Sequence, residues 1–107
     1  ELESFTSDNI RPKIRASEAL VSSGKATDDD RIALGLLYVR AGDTASAAAI
    51  FRPLSDKGNI TAMNNLANIY ILQKDFSSAK RLYEKVLEKD DKNGIAKKGL
   101  ERIANEK

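Results

Sequence analysis

Two copies of one 32-residue pattern in the middle of the chain restrict what it can fold into. The first reads Leu34-Gly35, Tyr38, Gly42, Ala47 and Phe51; the second reads Leu66-Ala67, Tyr70, Lys74, Ala79 and Tyr83. Each position recurs at one offset, and only Gly42 against Lys74 changes size class. A spaced self-similarity of this length belongs to a stacked repeat, because one helical hairpin cannot cover its own apolar face and needs a neighbour.

At 107 residues the chain is expected to form one domain with a single core. Its 18 basic and 16 acidic residues are interspersed, which argues against nucleic acid as a partner, since such binders concentrate their positive charge. No apolar run approaches the ~18–20 residues needed to cross a bilayer, so no membrane insertion is expected. Cys and His are both absent. Disulfides and nucleophile–imidazole catalysis are therefore excluded, and zinc would have to use carboxylates alone. No cofactor is expected. The lack of Cys leaves cytoplasm and bacterial periplasm equally compatible. The chain opens at Glu1 without Met and reads as a piece of a longer protein.

Residues 1–8 show no clear periodicity and read as a loosely held lead-in, with Phe5 their one aromatic. Ile10, Ile14, Ala16, Ala19 and Leu20 then predict an amphipathic leading helix over 9–23. Pro12 fits in its first turn, and Gly24 supplies a left-handed stop. Thr27 with Asp30 reads as a capping box for a helix to about Arg40. The Asp28-Asp29-Asp30 run is read as a helix start and not as a calcium loop, which needs alternate acidic positions and a Gly turn. Asp43 caps a third helix, in which Pro53 should cause a kink or an end before Gly58. Asn59 caps a fourth (60 to about 73) and Asp75 a fifth (76 to about 89). After the Asp90–Gly94 turn, a last helix carries Ala96 and Leu100 with a charged outer face, as the end of a repeat stack requires. The expected organisation is one domain over 1–107: a leading helix, repeat one (28–59), repeat two (60–93) and a capping helix (94–107).

These residues resemble the tetratricopeptide repeat, in which a Leu-Gly-x-x-Tyr helix joins an Ala-x-x-x-Phe/Tyr helix. The chain departs from that pattern in having Arg31 and Met63 at the first large position and no Pro closing either repeat. The resemblance implies an all-α fold, a right-handed superhelix of stacked helical hairpins, in which Gly35, Ala47, Ala67 and Ala79 allow close helix approach. Tyr38, Phe51, Tyr70 and Tyr83 would fill the space beside them as core.

It also implies a concave groove lined by the first helix of each hairpin. Carried over residue by residue, Ile32, Leu36 and Val39 give an apolar strip with Arg40 at its rim. Asn64, Asn65 and Asn68 give an amide strip with Leu72 beyond it, and Lys98 and Arg102 give a basic strip. Asparagine offers both a donor and an acceptor to a peptide backbone, and the paired cations can hold a carboxylate. Some members of the family clamp a ligand's terminal carboxylate with Lys and Asn on the first hairpin; Ile32 and Leu36 stand in those places here, so the full clamp is absent. Two other readings stay open: the apolar strip is covered by the leading helix or a further repeat, and the basic pair serves solubility.

The carboxylates lie at helix starts or beside Lys and Arg (Lys80 and Arg81 with Glu84, Lys85 with Glu88), which reads as solvated helix surface. An enzyme is not expected. The leading function is a protein–protein interaction module that binds a peptide segment or partner helix. The alternative is a structural spacer or self-assembling part of a larger repeat protein. Single-stranded RNA binding is disfavoured by the weak net charge and the lack of exposed aromatics.

Overall fold

The computed structural model describes residues 2–106, with side chains from Asn9 to Glu106. The described residues form six helices and no strand: α1 (Leu2–Ser22), α2 (Asp28–Arg40), α3 (Thr44–Asp56), α4 (Ile60–Leu72), α5 (Phe76–Lys89) and α6 (Gly94–Asn105). The fold is all-α, with α1 packed on α2, α4 on α5 and α5 on α6. The chain divides into two compact units, Glu1–Phe51 and Arg52–Lys107, with the boundary inside α3.

The helix starts follow from side chains that satisfy orphan backbone donors. Thr27 Oγ1 accepts from Asp30 N–H (3.1 Å) while Asp30 Oδ2 accepts from Thr27 N–H (2.9 Å), completing a capping box. Asn59 and Asn93 each accept from the backbone N–H three residues on, at Ala62 and Ala96. Asp43 and Asp75, one repeat period apart, do the same for Ser46 and Ser78. Hydrogen bonds from those serines hold both carboxyls below the usual carboxylate range.

One element differs from expectation. The leading helix starts at Leu2 and not near Asn9, so it takes in most of the lead-in, and Pro12 sits near its middle. Pro12 is exposed. On that face water can satisfy the carbonyl freed four residues earlier, so the ring's constraint does not end the helix. The third helix contains Pro53 and ends at Asp56, before Gly58, in keeping with the expectation for it.

In the first unit Ile10, Ile32, Leu34, Ala47, Ala48 and Phe51 are buried. Gly35 lies directly against the Phe51 ring, where an added Cβ would stand 2.5 Å from Cζ. Only a residue without a side chain lets α2 and α3 approach this closely. The Tyr38 hydroxyl donates to the Glu18 carboxylate and ties α2 to α1. That bond is the main reason the Tyr38 phenol is pushed up to about 12, with burial and the nearby charges of Glu18 and Asp43 adding to it.

The second unit has a continuous core of Met63, Ala67, Ala79, Tyr83, Val86 and Ala96, flanked by Ile60, Tyr70, Leu82, Leu100 and Ile103. Ala67 and Ala79 have no exposed surface, as close contact between α4 and α5 requires. The exposed Lys80, Arg81, Glu84, Lys85 and Glu88 cover the outer side of α5.

Candidate functional site

Three asparagines on α4 and two cations on α6 line one depression of about 440 Å³ in the second unit. On α4, Asn64, Asn65 and Asn68 occupy one face, with Ile60 and Thr61 a turn earlier. On α6, Ile95, Lys98, Gly99 and Arg102 recur at three- and four-residue steps, which puts them on one stripe. Tyr83 of α5 also lines the hollow, and Gly99 makes room for it: a Cβ there would stand 2.3 Å from the Tyr83 Cε2 atom.

The amides are not equivalent. Asn65 Nδ2 donates back to Thr61 O at 3.0 Å, one turn earlier on its own helix. Asn64 is buried, at 6% exposure, and its Nδ2 donates to Asn93 Oδ1 at 3.2 Å. Asn93 Oδ1 also accepts the Ala96 N–H, and Asn93 Nδ2 donates to Asp90 Oδ2. Asn64 Oδ1 is buried and has no hydrogen-bond partner among the described residues. On the other wall, Lys98 and Arg102 are both exposed. The guanidinium lies near enough to Tyr83 to oppose the upward shift that burial imposes on its phenol. Ile95, 62% exposed, adds an apolar lip one turn before Lys98.

The structure thus brings together five of the residues singled out from sequence: Asn64, Asn65, Asn68, Lys98 and Arg102. Leu72 is exposed at the end of α4 and does not line this depression. Ile32, Leu36, Val39 and Arg40 belong to the first unit. Ile32 is buried at 7% exposure, nearly as deeply as Asn64, and Leu36 is 41% exposed. Val39 is partly buried and Arg40 is exposed. Tyr83, Gly99, Ile95 and Asn93 were not assigned to a site from sequence. Ile95 had a usable signal, since it shares a helical stripe with Lys98 and Arg102. Asn93 had none, because the Asn64–Asn93 bond spans 29 residues.

A second depression of about 400 Å³ lies elsewhere in this unit, lined by Arg52, Asp56, Met63, Tyr70, Arg81 and Lys85 among others. Among the described residues no group of three or more acidic side chains is placed to hold a metal ion. No helix among them is long and apolar enough to cross a membrane.

A family model described as tetratricopeptide repeat matches residues 38–103. The chain is also similar to an uncharacterized protein, ycf37, of Pyropia yezoensis. The two are 38% identical over 76 residues, covering 69% of this chain and 43% of that protein. The chain therefore spans less than half the length of this curated relative.

Proposed function

The chain belongs to the tetratricopeptide repeat family, and from that premise we propose that it is a non-catalytic interaction module that holds an extended peptide segment in the depression between α4 and α6. Repeats of this family are in general non-enzymatic helical scaffolds for protein–protein interaction. The observation that carries the finer reading is the convergence of Asn64, Asn65 and Asn68 with Lys98 and Arg102 around one hollow. The asparagines offer hydrogen bonds to a peptide main chain, Ile60, Ile95 and Tyr83 offer contact to an apolar side chain, and the cations offer a partner to an acidic group.

The test begins with peptides selected from a random decamer display library on the immobilised protein. The selected peptides should carry an apolar residue close to an acidic one. Changing Lys98 and Arg102 together to Glu should leave the helical content intact, since both are exposed, and weaken binding about tenfold or more. Parent binding should weaken as salt rises, and the variant should lose that dependence. Peptides that bind the double variant as tightly as the parent would sink the reading. Sedimentation across concentrations addresses the alternative: an oligomer that buries the depression would favour self-assembly.

A further inference from the structure

We propose that Asn64 is a pre-oriented acceptor, kept at a cost to the stability of the free protein, that selects a main-chain N–H of the bound segment. The proposal rests on the peptide-binding reading of the α4–α6 depression and names what one residue of that site demands of its ligand.

Hydrogen-bond bookkeeping fixes which way the amide faces. Asn93 Oδ1 caps α6 by accepting the Ala96 N–H at 3.0 Å, and Asn93 Nδ2 donates to Asp90 Oδ2 at 3.3 Å. The Asn93 amide is held from both ends, so it offers Asn64 only an oxygen. Asn64 must then present its Nδ2 to Asn93, which it does at 3.2 Å, and its Oδ1 is left over. Exchanging the two atoms would set oxygen against oxygen. The leftover oxygen is sealed from solvent and has no partner among the described residues. A buried acceptor in that condition is destabilising, and native chains rarely retain one without use.

The neighbouring repeat shows that the fold does not require the polar group. Ile32 lies one 32-residue period before Asn64 and is buried to nearly the same degree, at 7% against 6%. The same slot is filled by an aliphatic side chain in one copy and by an incompletely satisfied amide in the other. The amide copy lines a depression.

A main-chain N–H is the donor that fits. Asn64 and Asn68 stand four residues apart on α4, about 6 Å along the axis. Alternate residues of an extended peptide repeat every ~6.6–6.8 Å, so one strand can address both amides. Because Asn64 Oδ1 is closed to solvent, the segment reaches it by displacing side chains at the rim of the hollow.

The test combines one substitution with one change in the ligand. Asn64→Ile copies the first repeat's own residue; it removes the orphan oxygen and leaves Asn93 Oδ1 bonded to Ala96. Its melting temperature should rise by a few degrees, and its affinity for a display-selected decamer should fall about tenfold. Independently of how that variant folds, each amide of the decamer is replaced in turn by an ester, which removes one N–H and preserves the shape. One ester should weaken binding to the parent about tenfold and leave binding to Asn64→Ile unchanged. The proposal is overturned if every ester weakens both proteins equally, if no ester matters, or if Asn64→Ile lowers the melting temperature while binding normally. If no peptide binds the parent in a Lys98- and Arg102-dependent way, the underlying reading fails with it.

Discussion

The two units contain copies of one pattern but distribute their chemistry differently. At the Asn64 and Asn68 positions of the second unit, the first unit has Ile32 and Leu36, one period earlier. Around its one family-like hairpin the second unit closes a continuous apolar core and leaves polar groups around a hollow. Of the described side chains of α1, only Ile10 is buried, and Leu20 remains exposed. In the first unit the tie between α1 and α2 includes a hydroxyl–carboxylate bond, Tyr38 to Glu18, at a partly exposed site. A repeat pattern therefore specifies the backbone frame, while the variable positions on each helix decide whether a slot holds an aliphatic side chain or a polar one beside a hollow.

The largest expected effects come from the two glycines that touch aromatic rings. Gly35→Ala should drive a methyl into Phe51, and Gly99→Ala should drive one into Tyr83. Each should cost on the order of 1–3 kcal/mol by overpacking. Chemical denaturation of both variants checks this. If Gly99→Ala is harmless and Gly35→Ala is not, Tyr83 can yield into the depression, and the two ring contacts are not equivalent.

Much of this frame was legible because its signals are local. The capping residues Thr27, Asp43, Asn59 and Asp75 precede helices whose starts fall where those side chains indicate. The Ala47, Ala67 and Ala79 register follows from the period alone. The start of α1 was not legible, because residues 1–8 carry no apolar stripe and Pro12 argues for a boundary that an exposed helix face can do without. The contact of Gly99 with Tyr83 lies outside the two repeated patterns, because the caps Asn59 and Asn93 stand 34 residues apart and not 32, and the 32-residue period does not carry into α6. In the candidate site the α4 and α6 residues could be placed from helical spacing. The burial of Asn64 and the Asp90–Asn93–Asn64 chain could not, since they depend on how a turn 29 residues away folds back.

The first unit's polar tie gives the next expected effect. Tyr38→Phe removes the donor to Glu18 and should cost about 0.5–1 kcal/mol, the lower part of the range for hydrogen bonds because the pair is not fully shielded from water. The pH dependence is the sharper readout. The Tyr38 phenol is raised from its ordinary 10.0 to about 12, so the folded chain keeps a proton that the unfolded chain has lost. That contribution is whole below pH 10 and disappears as pH rises through about 12. The difference in stability between parent and Tyr38→Phe should therefore shrink across that window. A difference that stays constant from pH 9 to 12 would show that the phenol–carboxylate bond does not stabilise the first unit.

The smallest expected effect falls where the two copies depart from each other in sequence and still agree in backbone. Gly42 and Lys74 both adopt the left-handed conformation, at φ +83 and +62. The bonds around them match. Gly42 N–H reaches Val39 O and Asp43 N–H reaches Tyr38 O at 2.8 Å, while Lys74 N–H reaches Ile71 O and Asp75 N–H reaches Tyr70 O, also at 2.8 Å. In each copy the same turn closes one helix and delivers the aspartate that caps the next. A side chain in this conformation costs roughly 1–2 kcal/mol, whereas glycine loses more freedom on folding by roughly 0.4–1 kcal/mol. The first term is the larger, so Lys74→Gly should stabilise the second unit by about 0.5 kcal/mol. Gly42→Lys should destabilise the first unit by a similar amount. The two variants form a matched pair, because they exchange residues within one geometry, and their melting temperatures should shift in opposite directions. A shift of the same sign in both would mean that the two turns are held by different forces despite their equal bonds. In that case the Lys74 side chain must make a contribution in the second unit that glycine cannot replace.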